Sequence, residues 1–266
     1  MQIDKIKFHR QFNTYAQHSN LAVKISKNVA GRRVDYRAGW ASIIFTKICV
    51  TAISLKKLFD LDTGKKYNSH WDFSSGFSLT RNLMECYQTF FYLCIDDISE
   101  DEALCRKKLF NYHDFMSRKK LFQQLGQDLE ELNLKNQLTK ELTETLYFQH
   151  LDEKQQKHFL KGSTAFFLNR EEIEEKIGNS KVRFKVNYQL LSTYTHSYPM
   201  GFYSMFEPDH GTGVRTNVEE QYSGYALLLA EQYLKLAIMD MLDLFPDIYQ
   251  KLNQQELHLL EIKNPL

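Results

Sequence analysis

Apolar residues recur at the helical period along most of the chain, broken by single glycines and short polar clusters rather than by alternating, strand-like runs. The pattern predicts a first helix over about 4–29 and a second over 34–60. A third starts at Trp71 and ends near Ile98, where Asp96-Asp97-Ile98-Ser99-Glu100-Asp101 turns the chain. From Glu102 to Ile177 the segments are shorter and more charged, as in Asp128–Gln149 and Glu171–Lys176. This stretch, about 100–178, reads as a peripheral helical insertion in a single domain spanning 1–266. A helix from Lys181 to Tyr198 stops at Pro199, and Phe206–Asn217 is a loop rich in turn formers. In the last long helix, Asn217 caps the start with Glu220 in a capping-box position, and the helix runs from Val218 to Phe245. Between Tyr225 and Phe245 it is apolar on nearly every face, which predicts a central, buried helix. The fold class is therefore all-α, a bundle of long antiparallel helices with a charged helical insertion.

Proline placement strengthens that reading. The first 198 residues contain none, and the four prolines are Pro199, Pro208, Pro246 and Pro265. Average usage would place roughly ten in that stretch, and proline breaks helix interiors. Gly31, Gly64, Gly126, Gly162 and Gly178 then mark the joints.

Composition narrows the class of molecule. With 266 residues, 14 % of them aromatic, the chain can form a bulky core. The 34 basic and 33 acidic residues leave a net charge of +1, so no global field steers the protein toward nucleic acid or anionic lipid. Cys49, Cys86, Cys94 and Cys105 form no CxxC pair, and three of them lie in apolar helical runs; they read as buried thiols in a reducing compartment. Met1-Gln2-Ile3-Asp4-Lys5 has no apolar leader core, and the Gly39–Leu55 run is interrupted by Lys47 and short for a membrane span. The expected location is cytoplasmic.

Familiar chemistry is missing from the sequence: it has no phosphate-binding GxxxxGK[ST], GxGxxG, HExxH, helical ExxH pair or GxSxG. That argues against nucleotide hydrolases, zincins, di-iron oxygenases and α/β-hydrolases, and no metal or cofactor is called for. What remains is polar residues on apolar helices. Arg81, Glu85, Gln88 and Tyr92 stack at i, i+4, i+7 and i+11. A charged pair on so apolar a helix is either buried with partners or lines a cleft. Tyr188, Ser192 and His196 recur at i, i+4 and i+8, with His196 in the last turn before Pro199. An imidazole there suits acid–base work, or else serves as a hydrogen-bonded core histidine. The loop with Asp209, His210, Gly211, Gly213 and Arg215 is a candidate anion site, with backbone amides, a helix start and a guanidinium together; otherwise it is a connector. Arg106 and His113 have the loose Arg-x6-His spacing of HEPN ribonucleases, and the preferred reading of them is a solvated basic helix face.

The Arg81-Asn82-Leu83-Met84-Glu85 helix with its following aromatics, together with the Tyr188, Leu191, Ser192 and His196 helix, resembles a bacterial helical domain of unknown function, number 5677. That family is similar to HEPN-type helical bundles, some of which are ribonucleases in toxin or anti-phage systems. Arg81-Asn82 starts like the HEPN signature, while Cys86 and Tyr87 stand where its histidine would fall. The resemblance implies a defence- or toxin-associated, metal-independent ribonuclease in which Arg81, Glu85, Tyr188, Ser192 and His196 converge in a buried cleft. His196 would act as general acid–base and Arg81 would stabilise the phosphorane. RNA, a protein partner or a second copy of the chain are the implied partners, and a membrane is not. The rival is a non-enzymatic helical interaction or sensor module, in which the same polar residues satisfy one another.

Overall fold

A computed structural model describes residues 7–60, 71–127 and 132–261. In chain order the first helices are α1 (Phe8–Val29), α2 (Tyr36–Leu58) and α3 (Phe73–Phe90), the last continued by a π-helical turn over Phe91–Ile95. Next come α4 (Glu100–Gln124), α5 (Leu132–Thr143), α6 (Leu146–Gln149), α7 (Glu153–Phe159) and α8 (Arg170–Ile177). The chain closes with α9 (Lys181–Thr195), α10 (Pro199–Tyr203), α11 (Asn217–Leu244) and α12 (Gln254–Glu261). Among the described residues there is no strand, so the chain is an all-α bundle. Residues 1–95 with 177–266 form one compact unit, and 96–176 form another.

Helix starts in the first unit follow from local chemistry. The side chains of Asp35, Asp72 and Ser180 accept the backbone N–H of Ala38, Ser75 and Arg183, which gives α2, α3 and α9 their caps. For α11 the cap is Thr216, whose hydroxyl oxygen accepts from Glu219 N–H, one residue earlier than the sequence pattern suggests. Four of the five glycine joints, Gly31, Gly126, Gly162 and Gly178, hold positive φ, and Gly64 lies outside the described residues.

In this unit α11 is the central element. It packs on α1 and α3, while α2 covers α1 and α3, and α9 lies along α3. Ala226, Leu227, Leu229, Ala230, Leu234 and Ile238 are each 0–1 % exposed, so successive turns of α11 bury different faces. A fully buried Leu or Ile contributes about 1.5–3 kcal/mol. Polar tips in the core are paired: Tyr15 donates to the Ala52 carbonyl at 3.1 Å, Tyr225 to Asn187 Oδ1 at 2.6 Å, and Trp71 Nε1 to Ser223 Oγ at 2.9 Å. By length and composition α2 is able to cross a membrane, being longer than the run visible in the sequence; half of its apolar window is buried inside the fold.

Two titratable side chains face each other inside this core. His18 Nδ1 donates to the Thr14 carbonyl and lies 3.3 Å from Glu231 Oε1, with both side chains almost fully buried. Burial pushes Glu231 up to about 7 and His18 down to about 4. Folded Glu231 keeps a proton that the unfolded chain releases above pH ~4.5, so its contribution to stability falls as pH rises to ~7. His18 acts oppositely below pH ~6.5, because there the unfolded chain binds the proton that the folded chain refuses. Above that point only Glu231 is left. Glu231→Gln is therefore expected to gain about 1–3 kcal/mol over the parent between pH 5 and pH 8, read from urea midpoints at the two values.

The second unit has its own small core of Cys105, Leu109, Tyr112, Leu142, Phe148 and Phe159. Here the structure departs from the expected run of short segments: α4 is one helix of 25 residues. Ser99 caps it, and Cys105, Leu109, Tyr112 and Phe115 form a buried face at helical spacing. Arg106 is not on a solvated basic face either. Its side chain is 1 % exposed and bonds Asp96 at 2.8 Å and Glu102 at 2.6 Å, while Lys176 reaches the same Asp96 at 2.8 Å.

Candidate functional site

Arg81 and Glu85 lie one turn apart on α3, and α9 runs beside them carrying Tyr188, with His196 as the C-cap residue of α9. The Arg81 Nε donates to Glu85 Oε1 at 3.0 Å, and its Nη2 donates to the Tyr188 hydroxyl at 2.6 Å. That hydroxyl in turn donates to Glu85 Oε1 at 2.8 Å. The remaining arm, Nη1, lies 2.5 Å from His196 Nε2. A guanidinium only donates, so Nε2 is the accepting nitrogen and the ring proton sits on Nδ1. The guanidinium carbon also stands 4.6 Å from the centre of the Tyr188 ring. Burial works against the charge on Arg81, but its hydrogen bonds to Tyr188 and Glu85 outweigh it and raise its pKa.

These four side chains thus make one hydrogen-bonded cluster, and it lies at the surface rather than in a buried cleft. Arg81 and Glu85 are 18 % and 30 % exposed at their side chains, and His196 is exposed. Ser192 shares the α9 face, yet its hydroxyl donates to the Tyr188 carbonyl at 2.6 Å and so serves its own helix. Gln88 and Tyr92, higher on the α3 stripe, are buried and belong to the core. At the N-terminal end of α9, a helix with no acidic residue, Lys181, Arg183 and Lys185 are exposed.

The Gly-rich loop is arranged differently from the anion site expected there. Its donors are taken by the chain's own carboxylates: Gly211 N–H donates to Glu219 Oε1, and Arg215 Nε donates to Glu220 Oε1 at 2.6 Å. Arg215 also contacts His9 Nε2 at 2.9 Å and lies over the Trp71 ring. His210 is buried, at 1 % exposure, with Nε2 3.2 Å from the Tyr194 hydroxyl. Burial lowers the pKa of His210 and raises that of Glu219, the latter opposed by the amides of Gly211 and Thr212.

What this loop encloses leaves little trace in the sequence. A cavity of about 200 Å³ opens between the start of α3, the end of α9 and the loop, walled by Trp71, Phe73, Tyr194, Phe202 and Met205. Its acidic lining residues are Asp72 and Glu219. Ser197, on its wall, holds φ of 54°, a left-handed conformation costing a non-glycine residue about 1–2 kcal/mol. Tyr198, Met200, Phe202, Tyr203 and Phe206 are each more than half exposed along the same segment. Only the run of aromatics around the cap at Asp72 hinted at such a wall.

Among known families, one described as a family of unknown function (DUF5677) matches residues 39–213, which include Arg81, Glu85, Tyr188 and His196. Neither a curated protein nor a solved structure matches the chain.

Proposed function

The chain belongs to this family of unknown function, DUF5677, and on that footing we propose that it binds RNA and cleaves it without a metal. The observation that carries the reading is the approach of the Arg81 guanidinium to His196 Nε2 within a cluster that solvent can reach. A phosphodiester entering there takes over the Arg81 Nη1 bond from His196, so it meets a fixed cation and frees the unprotonated imidazole nitrogen. In the proposed reaction the ribose 2′-hydroxyl gives its proton to His196 Nε2 and its oxygen attacks the adjacent phosphorus. The bond from phosphorus to the 5′-oxygen then breaks, leaving a 2′,3′-cyclic phosphate and a 5′-hydroxyl protonated from solvent. Arg81 stabilises the added negative charge on the phosphorus oxygens. Glu85 and Tyr188 hold the guanidinium in place, and the exposed Lys181, Arg183 and Lys185 supply backbone contacts along α9. The distant similarity of this family to HEPN-type bundles, some of them ribonucleases of toxin and anti-phage systems, points the same way, with Cys86 and Tyr87 standing where the HEPN histidine would fall.

The test is incubation of purified protein with total RNA in the presence of excess EDTA. Expected products end in 2′,3′-cyclic phosphate and appear at the same rate with and without the chelator. Cleavage that EDTA abolishes would overturn the metal-free mechanism. Intact RNA throughout would favour the second reading, a non-enzymatic interaction module, which the exposed apolar residues between Tyr198 and Phe206 support.

A further inference from the structure

We propose that the cavity beside the Gly-rich loop binds a small organic amine, a protonated amino group on an apolar body about one ring in size. The inference does not rest on RNA cleavage, because none of the cavity's lining residues belongs to the Arg81 cluster.

Charge selects the ligand class. The charged residues of the lining are the acids Asp72 and Glu219, with no lysine or arginine among them. A phosphate or carboxylate would enter an apolar, acid-lined space with no cation to meet it. An ammonium would instead meet aromatic ring faces and a carboxylate, the combination that recognises cationic nitrogen.

Two orphaned atoms belong to residues of the lining. Glu219 is 0 % exposed, and while one of its oxygens takes the Gly211 N–H, the other, Oε2, has no hydrogen-bond partner of ordinary geometry, the Thr212 amide giving the carboxylate weaker support. His210 is 1 % exposed, and its Nδ1 is likewise without a partner. Buried polar atoms are nearly always satisfied, so a carboxylate oxygen left alone on a residue that lines the cavity points to a missing donor. An ammonium carries three. Asp72, by contrast, is already engaged as the cap of α3 and contributes charge.

Size sets the body of the ligand. At about 200 Å³ the space exceeds the ~150 Å³ cavity known to hold benzene. One ring with a short amino arm fills it.

The protein has two tryptophans, Trp71 in the cavity wall and Trp40 on α2, so a Trp40→Phe variant leaves a single reporter at the site. Benzylamine is titrated against it, with benzyl alcohol and benzoate as the neutral and anionic counterparts. The expected result is a saturable change in Trp71 fluorescence and a raised melting temperature with benzylamine, about ten-fold weaker binding of benzyl alcohol, and none of benzoate. Glu219→Gln should bring benzylamine down to the affinity of benzyl alcohol. Should that variant fail to fold, Phe202→Ala, a half-exposed wall residue, should weaken both ligands. Equal responses to all three probes, or no saturation in the millimolar range, would overturn the proposal whatever the RNA assay shows.

Discussion

His196→Ala is expected to lower the rate of RNA cleavage by about 10²–10⁴-fold, the usual range for a positioned acid–base group. The melting temperature should stay within about 2 °C of the parent, since the residue is exposed and ends its helix. Its bond is the one from Arg81, and without it the guanidinium still holds Glu85 and Tyr188. Arg81→Ala should lose a similar factor, about 10²–10³-fold. Arg81→Lys separates charge from geometry: it keeps the cation but cannot span Glu85, Tyr188 and His196 together, so most of the loss should persist. Unchanged cleavage in His196→Ala would remove the imidazole from the chemistry. A fall in melting temperature as large as the fall in activity would make the cluster a structural tie between α3 and α9.

A second large effect belongs to the other unit. Asp96→Ala is expected to cost about 3–5 kcal/mol, because it leaves the Arg106 guanidinium charged, almost wholly buried and short of a partner. Glu102 would remain, but its side chain is 20 % exposed and its attraction is better screened. Lys176→Ala touches the same aspartate from a side chain 40 % exposed and should cost no more than about 1 kcal/mol. Removing both buried charges at once, with Asp96→Leu and Arg106→Met, should recover most of the loss. Urea midpoints read all three, and a loss under about 1 kcal/mol in Asp96→Ala would show that solvent reaches the pair.

The bundle was readable from the chain because its signals are local. Long apolar helices, a proline-free stretch and glycine joints all act within a few residues. The shared face of Arg81 and Glu85, and that of Tyr188 and His196, is likewise fixed by helical spacing. What spacing could not say is that Arg81 would reach across to His196, 115 positions away, or that the cluster would be open rather than buried. Arg106 failed for the same reason. Its i,i+4 partner Glu102 is visible in the sequence, but the distant members of its network on Asp96 and Lys176 are not. Helix α4 looked like several short pieces because charges crowd it, although its buried stripe was present throughout. The cavity was least legible of all, since its walls come from five separate stretches of the chain, each ordinary alone.

All four cysteines are buried, and burial pushes Cys49 and Cys94 up to about 12 and Cys105 to about 11. A thiol so held is neither a nucleophile nor an easy target for oxidation until the chain around it opens. Cys49, Cys86 and Cys94 fall in the first unit and Cys105 in the second. The protein therefore carries two built-in clocks: the alkylation rate of each set, followed by mass, times the breathing of one unit separately from the other under native conditions.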